Sequence, residues 1–397
     1  MNLSKQRNAQ VSTQLNTRFT LGCRNRGLGL GLAAALAAAA LLSGCSSVSQ
    51  TTAAATATPH EYLLTVTRPN NLQVIDMATD KVVRSCDIPG SFGGQIALSP
   101  DNRIAYILSN GMENVYGLNI TTCDLVFSAF QSSEDIKVKT FVSLAVSTDG
   151  KELYTVQNPV RQLKDEFRVL PPVLAVFNPA DGLNAKPVRS FPVDRRITTI
   201  AAAATGEVFL GGGDLKAIDP QTGKIRMVNA LQSENRPGWL TPDAFAMFNL
   251  GEQANEYILP YVTAHFTDAS MNFETAAWWW GMNRVDLATG ISERMEFAPF
   301  EFIIFNVVAD PTDKNIVYGS FNTLSKHDVK NRTVLGVKNL DHTYYNINIS
   351  GDGKRLYIGG ASSDISIHDP ESLDKIGSIQ LSGDMSTADL RVATLVE

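Results

Sequence analysis

Residues 346–381 read NINISGDGKRLYIGGASSDISIHDPESLDKIGSIQL, and this stretch decides the fold. Apolar and polar residues alternate in NINIS, RLYIG, ISIHD and KIGSIQ, which is the period of a half-buried strand. Asp352-Gly353 and the run that begins at Asp369 supply the side-chain acceptors and the glycine that tight reversals need. The stretch therefore predicts four antiparallel strands.

The second hairpin of this unit occurs seven times along the chain. In each copy an alternating strand ends in Asp or Asn, the chain turns, and another strand begins. Successive anchors are 43, 59, 41, 67, 42 and 41 residues apart, a base period in the range of propeller blades. The anchors are Asp76, Asn119, Asn178, Asp219, Asp286, Asp328 and Asp369. We predict an all-β, seven-bladed β-propeller with four-stranded antiparallel blades.

The two ends of the repeat region predict how the ring closes. The first repeat, EYLLTVTRPNNLQVID at 61–76, lacks the innermost strand of a blade. The chain ends in an apolar strand without a hairpin partner, DLRVATLV at 389–396. We expect this C-terminal strand to complete the first blade, so that no sheet edge stays open at the seam.

The N-terminal segment has the pattern of a targeting sequence. Arg24 and Arg26 precede an apolar run from Leu28 to Leu42, which is short for a membrane span and ends in Leu-Leu-Ser-Gly-Cys. This ending resembles the lipobox of bacterial lipoproteins. The resemblance implies a signal peptide over residues 1–45 and a lipid on Cys45. An ordinary secretory signal is the alternative, and both alternatives predict export.

Composition divides the remaining chain and excludes some functions. Residues 46–59 are mostly Ser, Thr and Ala and predict a flexible tether, and residues 60–397 form the predicted propeller. Forty acidic and 34 basic residues give a net charge of −6 without a basic cluster, which argues against nucleic-acid binding. After export, we expect the protein to lie in the cell envelope, facing the periplasm and attached to the membrane only through its lipid anchor.

The cysteines give no sign of a cofactor in this chain. Only Cys86 and Cys123 remain in the predicted fold, near the outer hairpins of adjacent repeats. An oxidising compartment permits a disulfide between them, and two buried free thiols are the alternative. No Cys-x-x-Cys pair is present to attach haem, hold a metal or carry redox chemistry. We therefore predict no cofactor and no metal site in this chain.

Three insertions are predicted to lie on one face of the ring. With strands named a to d from the axis outward, the b–c and d–a loops share one face, called here the decorated face. The a–b and c–d turns share the other, called the tight-turn face. Residues 158–172, 233–243 and 267–279 all fall in b–c or d–a loops. A scaffold that enlarges only one side commonly binds a partner there.

Aromatic residues accumulate in and beside these insertions. Such residues are enriched at buried interface centres, and the alternative is that long loops bury their own rings. His342 is a weak candidate for a general base, because no Ser or Cys motif supplies a nucleophile, and a hydrogen-bonded structural histidine is favoured. The predicted partner or substrate-pocket residues are Trp278, Trp279, Trp280, Phe300, Phe302, His342, Tyr344 and Tyr345. No catalytic residue is predicted.

Four segments resemble the beta subunit of quinohemoprotein amine dehydrogenase. They are YLLTVTRPNNLQVIDMATDKVV (62–83), NPVRQLKDEFRVLPPVLAVFN (158–178), TPDAFAMFNLGEQANEYILPYVTA (241–264) and DHTYYNINISGDGKRLYIGGASSDISIHDPESLDKIGSIQL (341–381). The likeness runs from about Glu61 to Arg391. It implies a seven-bladed propeller of the YVTN type that has no cofactor of its own and is not catalytic alone.

The same resemblance implies two partners. One is a dihaem cytochrome c alpha subunit, and the other is a small gamma subunit whose cysteine tryptophylquinone oxidises primary amines. The propeller would cover the quinone and help to shape the amine pocket. The family's beta subunits are typically soluble periplasmic chains, whereas this chain carries a predicted lipid anchor. Two alternatives stay open: a stand-alone binding or scaffold lipoprotein, and a propeller lactonase, which the few histidines disfavour.

Overall fold

The computed structural model describes residues 59–244 and 251–396. The predicted signal peptide with Cys45 lies outside the described residues, as do residues 46–58 of the predicted tether and residues 245–250. Pro59, the last residue of the predicted tether, is the first residue of strand β1. No helix in the described part of the chain is long and apolar enough to cross a membrane.

The first blade combines the first and the last of the described strands, as predicted. Its order from the axis outward is β30, β1, β2, β3, and every neighbour is antiparallel. The C-terminal strand pairs with β1 from Pro59↔Val396 to Leu64↔Arg391. The ring therefore closes without an open edge at the seam. The four strands are β1 (Pro59–Thr67), β2 (Asn71–Asp76), β3 (Lys81–Asp87) and β30 (Arg391–Val396).

Blades 2 to 4 follow in chain order, each with its a strand at the axis. Blade 3 carries two further short strands, β8 and β11, which pair with its long b strand, β10. Blade 2 contains β4 (Ile96–Leu98), β5 (Ile104–Ser109), β6 (Asn114–Asn119) and β7 (Leu125–Phe130). Blade 3 contains β8 (Ile136–Lys139), β9 (Leu144–Val146), β10 (Leu153–Gln162), β11 (Phe167–Val169), β12 (Val173–Phe177) and β13 (Arg189–Pro192). Blade 4 contains β14 (Thr199–Ala202), β15 (Val208–Gly211), β16 (Leu215–Ile218) and β17 (Ile225–Asn229).

Blades 5 to 7 complete the ring. Blade 5 has the longest strands, since its b and c strands each contain ten residues. It contains β18 (Asp243–Ala244), β19 (Glu256–His265), β20 (Ala277–Asp286) and β21 (Ser292–Pro299). Blade 6 contains β22 (Asn306–Ala309), β23 (Ile316–Ser320), β24 (Thr323–Asp328) and β25 (Thr333–Asn339). Blade 7 contains β26 (Asn346–Ile349), β27 (Leu356–Gly359), β28 (Asp364–His368) and β29 (Lys375–Gln380).

The anchor residues close the turns as their sequence pattern predicts. Asp219 Oδ1 accepts the backbone N–H of Gln221 at 2.8 Å, and Asp369 Oδ1 accepts that of Ser372 at 2.7 Å. These are Asx turns, in which a side-chain oxygen replaces a backbone acceptor. Asn178 also caps the single turn of 3-10 helix at Pro179–Asp181. The recurring carboxylates are therefore structural.

A polar network centred on Arg391 joins four blades across the axis. The Arg391 Nε donates to the Ile96 carbonyl of blade 2 at 3.1 Å and to Asp389 Oδ2 at 3.0 Å, while one terminal nitrogen lies 3.2 Å from Glu252 Oε2 of blade 5. Glu252 Oε1 also accepts from Asn348 Nδ2 of blade 7 at 2.6 Å. Burial raises the pKa of Asp389 to about 6, although Arg391 acts in the opposite direction.

A disulfide joins blades 1 and 2. Cys86 in β3 is bonded to Cys123 in the turn between β6 and β7, across 37 residues of sequence. The sequence left open whether these cysteines are free thiols or form a disulfide, and the structure contains the disulfide. The bond lies beside the closing blade, where it restrains the outer strand against its neighbour.

Breaking this disulfide should destabilise the ring. A loop of this length corresponds to about 3–4 kcal/mol of unfolding free energy in the chain-entropy model. We expect urea unfolding of Cys86→Ala/Cys123→Ala to show a loss of that size, and reductant should lower wild-type stability to the same level. Equal stability of the oxidised and reduced wild-type protein would contradict this expectation.

Removing the axial guanidinium should cost more than removing an exposed one. Arg391→Met leaves the buried Asp389 and the half-buried Glu252 without their cation, which corresponds to about 3–5 kcal/mol. Arg226→Met breaks an ion pair with Glu207 near the surface and should cost under about 1 kcal/mol.

The same urea unfolding series provides a check on the cause. Asp389→Asn added to Arg391→Met should recover part of the loss, because one stranded carboxylate is gone. Similar costs for Arg391→Met and Arg226→Met would show that the axial network does not hold the ring together.

Candidate functional site

The insertions lie on the decorated face, as the sequence predicts. Residues 266–276 connect β19 to β20, and residues 230–242 connect β17 to β18, so both segments belong to blade 5's side of the ring. Residues 158–172 continue β10 past the blade and return through β11. β8, which the sequence analysis did not find, pairs with the other side of this extension. The insertion of blade 3 is thus a small projecting sheet.

Exposed aromatic side chains mark the same face. In the part of the chain that the structure describes, five aromatic side chains are exposed, and all lie on or directly beside decorated-face loops: Phe130, Phe141, Phe167, Phe273 and Phe300. Phe167 at the tip of the projecting sheet is 72% exposed, and Phe273 is 55% exposed. Within those residues, the tight-turn face exposes no aromatic ring. Exposed rings concentrated on one face indicate a binding surface.

A row of rings runs outward through blade 5. Trp280 and Trp278 lie on the same side of β20, and their ring centroids are 5.1 and 6.4 Å from that of Phe300. The Trp278 ring lies 6.1 Å from Phe273, which packs edge-on against Phe266 at 5.2 Å. Trp279 points to the opposite side of the strand, because successive strand residues alternate. Trp278 and Trp279 are both partly exposed.

Two of the predicted surface rings are buried, and the prediction is wrong for them. Trp280 is 0% exposed, packs in the core with Phe297 and Ile304, and donates its Nε1–H to the Phe302 carbonyl at 2.8 Å. Tyr344 is also 0% exposed, and its hydroxyl donates to Asp364 Oδ2 at 2.6 Å. Both rings fill the space between a decorated-face loop and the blade beneath it. They support the surface and do not belong to it.

The other predicted rings lie closer to the surface. Phe302 is half-buried against the core of blades 5 and 6, and Phe300 is exposed. Tyr345 is half-buried and packs with Phe305 and with Val142, which comes from the loop before β9. Since blade 3 stands opposite blades 6 and 7, this contact crosses the axis on the decorated face. Phe305 and Tyr345 have ring centroids 5.0 Å apart, and Phe321 stacks on Phe305 at 5.7 Å.

His342 has hydrogen-bond acceptors at both ring nitrogens. Its Nε2 lies 2.9 Å from Asp364 Oδ1, and its Nδ1 lies 2.9 Å from the Thr343 carbonyl. The ring also stacks on Tyr344 at 4.0 Å. Burial, together with the bond to Asp364, raises the pKa of the Tyr344 hydroxyl well above its ordinary range, so the hydroxyl stays a donor. This arrangement fits a structural histidine.

The described residues contain no group of three or more His, Cys, Asp or Glu side chains that could hold a metal ion. On the tight-turn side of the axis, a cleft of about 340 Å³ is lined mainly by the inner strands of blades 2 to 4, with Glu252 and Arg391. Both charged groups already serve the axial network.

The charges of the decorated face differ between its two halves. On blades 2 and 3, basic and acidic groups pair, as in Lys139–Glu113 at 3.0 Å and Arg161–Asp135 at 3.4 Å. Burial acts to raise the pKa of Glu113, but the bonds from Lys139 and Ser132 outweigh it and lower the pKa. On blade 5, the Ser270 hydroxyl and backbone N–H hold the pKa of Asp268 below its ordinary range.

A buried histidine supports the blade-5 rings from below. His327 is 0% exposed, with Phe297 edge-on at 5.2 Å and Phe302 at 6.0 Å, and its Nε2 meets Ser325 Oγ at 2.8 Å. Its Nδ1 has no hydrogen-bond partner. Burial lowers the pKa of His327 to about 4. The imidazole is therefore neutral at pH 7.

Comparisons with known proteins support the fold. No protein-family model matches the chain, and no curated protein is similar in sequence. A Kuenenia stuttgartiensis hydrazine synthase chain matches at 12% identity and TM-score 0.50, over 79% of this chain and 90% of that one. Dihydro-heme d1 dehydrogenase NirN, in complex with DHE, matches at 11% identity and TM-score 0.51, over 83% of this chain and 74% of that chain.

A functionally unknown protein from Desulfotomaculum acetoxidans DSM 771 matches at 12% identity and TM-score 0.53, over 84% of this chain and 98% of that chain. At such low identities these likenesses show the fold alone. The chain is a seven-bladed β-propeller, and one of these neighbours is named as a dihydro-heme d1 dehydrogenase.

Acid should lower the unfolding free energy of the protein, because buried His327 beneath the blade-5 rings resists protonation. A histidine with a folded-state pKa below its unfolded value of about 6.5 contributes stability that is present above that value and is lost as pH falls through about 4. The loss reaches about 3 kcal/mol at pH 4. His327→Leu removes the titrating group, so only the wild type should lose this stability on acidification. The difference in unfolding free energy between wild type and variant should therefore shrink by about that amount from pH 7 to pH 4. Urea unfolding at both pH values gives the two gaps, and a constant gap would contradict the assignment.

Proposed function

We propose that this chain is a non-catalytic propeller subunit that binds a protein partner through its decorated face. The observation that carries the proposal is the placement of the exposed aromatic rings, all of which lie on that face among the described residues. Large rings with low conformational freedom are common anchors of protein interfaces. The pairing of the axial carboxylates adds support, since Glu252 and Asp389 already bind Asn348 and Arg391.

More specifically, we propose that the chain is a subunit of a periplasmic quinohemoprotein amine dehydrogenase. Its partners would be a small subunit that carries cysteine tryptophylquinone and a dihaem cytochrome c. These partner subunits would hold the quinone and the haem, and the propeller would cover the quinone and shape the amine pocket. The support is the sequence resemblance at 158–178 and 341–381, both of which contribute to the decorated face.

A second candidate is a stand-alone binding lipoprotein of the cell envelope, and the lipobox-like ending at Cys45 favours it. In both cases we propose that a lipid on Cys45 anchors the chain. β1 begins at the tight-turn face, where it pairs with the end of β30. The described chain therefore begins, at Pro59, on the side away from the decorated face.

Purification from native membranes tests the proposal. The full chain with a C-terminal tag should co-purify with a haem-absorbing and a quinone-bearing subunit, and the complex should oxidise a primary amine with an artificial acceptor. The chain produced alone should do neither. Phe273→Ser/Phe300→Ser should lower partner recovery by roughly tenfold or more, as expected for interface anchors.

Leu183→Ser/Ile291→Ser is the matched control, because it removes two exposed side chains from the tight-turn face and should leave partner recovery unchanged. Cys45→Ala should move the complex to the soluble fraction with its partners still bound. Recovery of neither haem nor quinone would overturn the dehydrogenase assignment and favour the stand-alone lipoprotein. Equal losses in the two paired variants would overturn the decorated-face interface.

A further inference from the structure

Most loops in one half of the decorated face have carboxylates and no basic side chain. The exception in blade 5 is the loop 230–242, where Arg236 pairs with Glu296 at 2.8 Å. The loops of blades 5 to 7 contain no Lys or Arg at 266–276, 300–305, 321–322, 340–345, 360–363 or 381–390. Their carboxylates at the surface are Asp268, Glu274, Glu301, Asp341 and Asp384. Two of these have a cation from elsewhere, since Lys375 reaches Asp341 at 2.6 Å and Arg68 reaches Asp384 at 3.0 Å. The others have no ion pair among the described residues.

The three carboxylates without a cation surround the exposed rings of blade 5. Asp268 and Glu274 flank Phe273 in the same loop, and Glu301 follows Phe300. Ile303, which is 47% exposed, continues the apolar surface beyond Glu301. Together these residues form an apolar centre with an acidic rim, called here the blade-5 patch: Asp268, Met271, Phe273, Glu274, Phe300, Glu301 and Ile303.

The other half of the same face provides the contrast. Exposed apolar side chains occur there too, notably Phe167 and Val169 on β11. The charges around them balance, since Lys164 and Arg168 offset Asp165 and Glu166, and Arg168 pairs with Glu166 at 2.7 Å. A neutralised rim gives little electrostatic preference for a partner. An acidic rim favours a cationic partner and repels an anionic one by several kcal/mol when like charges meet.

We propose that the blade-5 patch binds a protein partner whose contact surface is rich in Lys and Arg around an apolar centre. This inference rests on the proposed function, because it names the sector and the partner chemistry of the decorated face. The rings would supply the buried centre of the interface, and the three carboxylates would pair with partner cations at the rim. Such a rim also speeds association at low salt.

A second copy of this chain fits the patch poorly. A two-fold contact through the patch would place the acidic rim of one copy against that of the other. A contact with another region would still bring together two chains that each carry a net charge of −6. The charge pattern therefore selects a different, basic protein.

Photo-crosslinking in the native cell envelope tests this inference on the full chain. Phe273 is replaced by p-benzoylphenylalanine, and Phe167 in the neutralised half is replaced in a parallel strain. We expect Phe273 to give a protein adduct whose crosslinked segment, mapped by mass spectrometry, has a net positive charge. Glu274→Lys/Glu301→Lys should lower the adduct yield roughly tenfold, and so should about 0.5 M salt, which shortens the screening length to about 4 Å.

Glu134→Lys/Asp165→Lys is the matched control, because it reverses two exposed carboxylates on the other half of the face and should leave the yield within about twofold. An adduct from Phe167 but none from Phe273 would overturn the blade-5 patch and leave a decorated-face partner in place. No adduct from either position would count against both proposals. An adduct in an acidic segment, or equal effects of the two paired variants, would overturn the inferred partner chemistry alone.

Discussion

The structure depends on the closure of the ring. Arg391 contributes both to the strand pairing that closes the ring and to the polar network at the axis. It is the first residue of the C-terminal strand, where it pairs with Leu64 of β1, and its guanidinium reaches groups of blades 2 and 5. A buried cation between two carboxylates is stable only when all three are held in place. The backbone pairing and the axial network therefore support each other, and the last strand fixes blade 1 between its neighbours.

A closed ring allows one face to be enlarged at little cost to the other. Each blade satisfies its own backbone hydrogen bonds and packs mainly on its neighbours, so a b–c insertion does not disturb the inner strands. Blade 3 shows this clearly. The first half of β10 pairs with β9 and β12 in the blade, and its second half pairs with β8 and β11 beyond it. One end of this strand therefore belongs to the blade, and the other end belongs to the projecting sheet.

The sequence predicted the repeating architecture well because the relevant forces are local. Alternation and Asx turns are encoded within a few residues, and they located the blades, the seam and the face of the insertions. Side-chain exposure is decided by distant residues, so the surface was predicted less well. Alternation along a strand puts Trp279 on the side opposite Trp278 and Trp280, but the burial of Trp280 depends on Phe297 and Ile304 from other segments.

Residues that sequence reasoning missed share this cause. Phe167 was not among the predicted rings, and its exposure follows from how the insertion of blade 3 folds. The axial network was also invisible, because Arg391 and Glu252 are 139 residues apart in the chain. The pairing of Cys86 with Cys123 stayed open in the sequence for the same reason, since spacing alone does not show whether two thiols face each other.

Rigidity connects the fold to the proposed binding surface. Strands hold two of the blade-5 rings, because Trp278 lies within β20 and Phe300 directly follows β21. Phe273 lies in the loop 266–276, where it packs against Trp278 and Phe266. The pairing of β19 with β20 continues to His265↔Ala277, next to the insertion, and Trp239 bridges to His265 from the neighbouring loop. Buried Trp280, Phe297 and His327 fill the space beneath. Rings that are fixed before binding lose little conformational entropy when a partner covers them, so more of their buried area contributes to affinity. The long strands of blade 5 thus give the surface the stiffness that an interface of modest size requires.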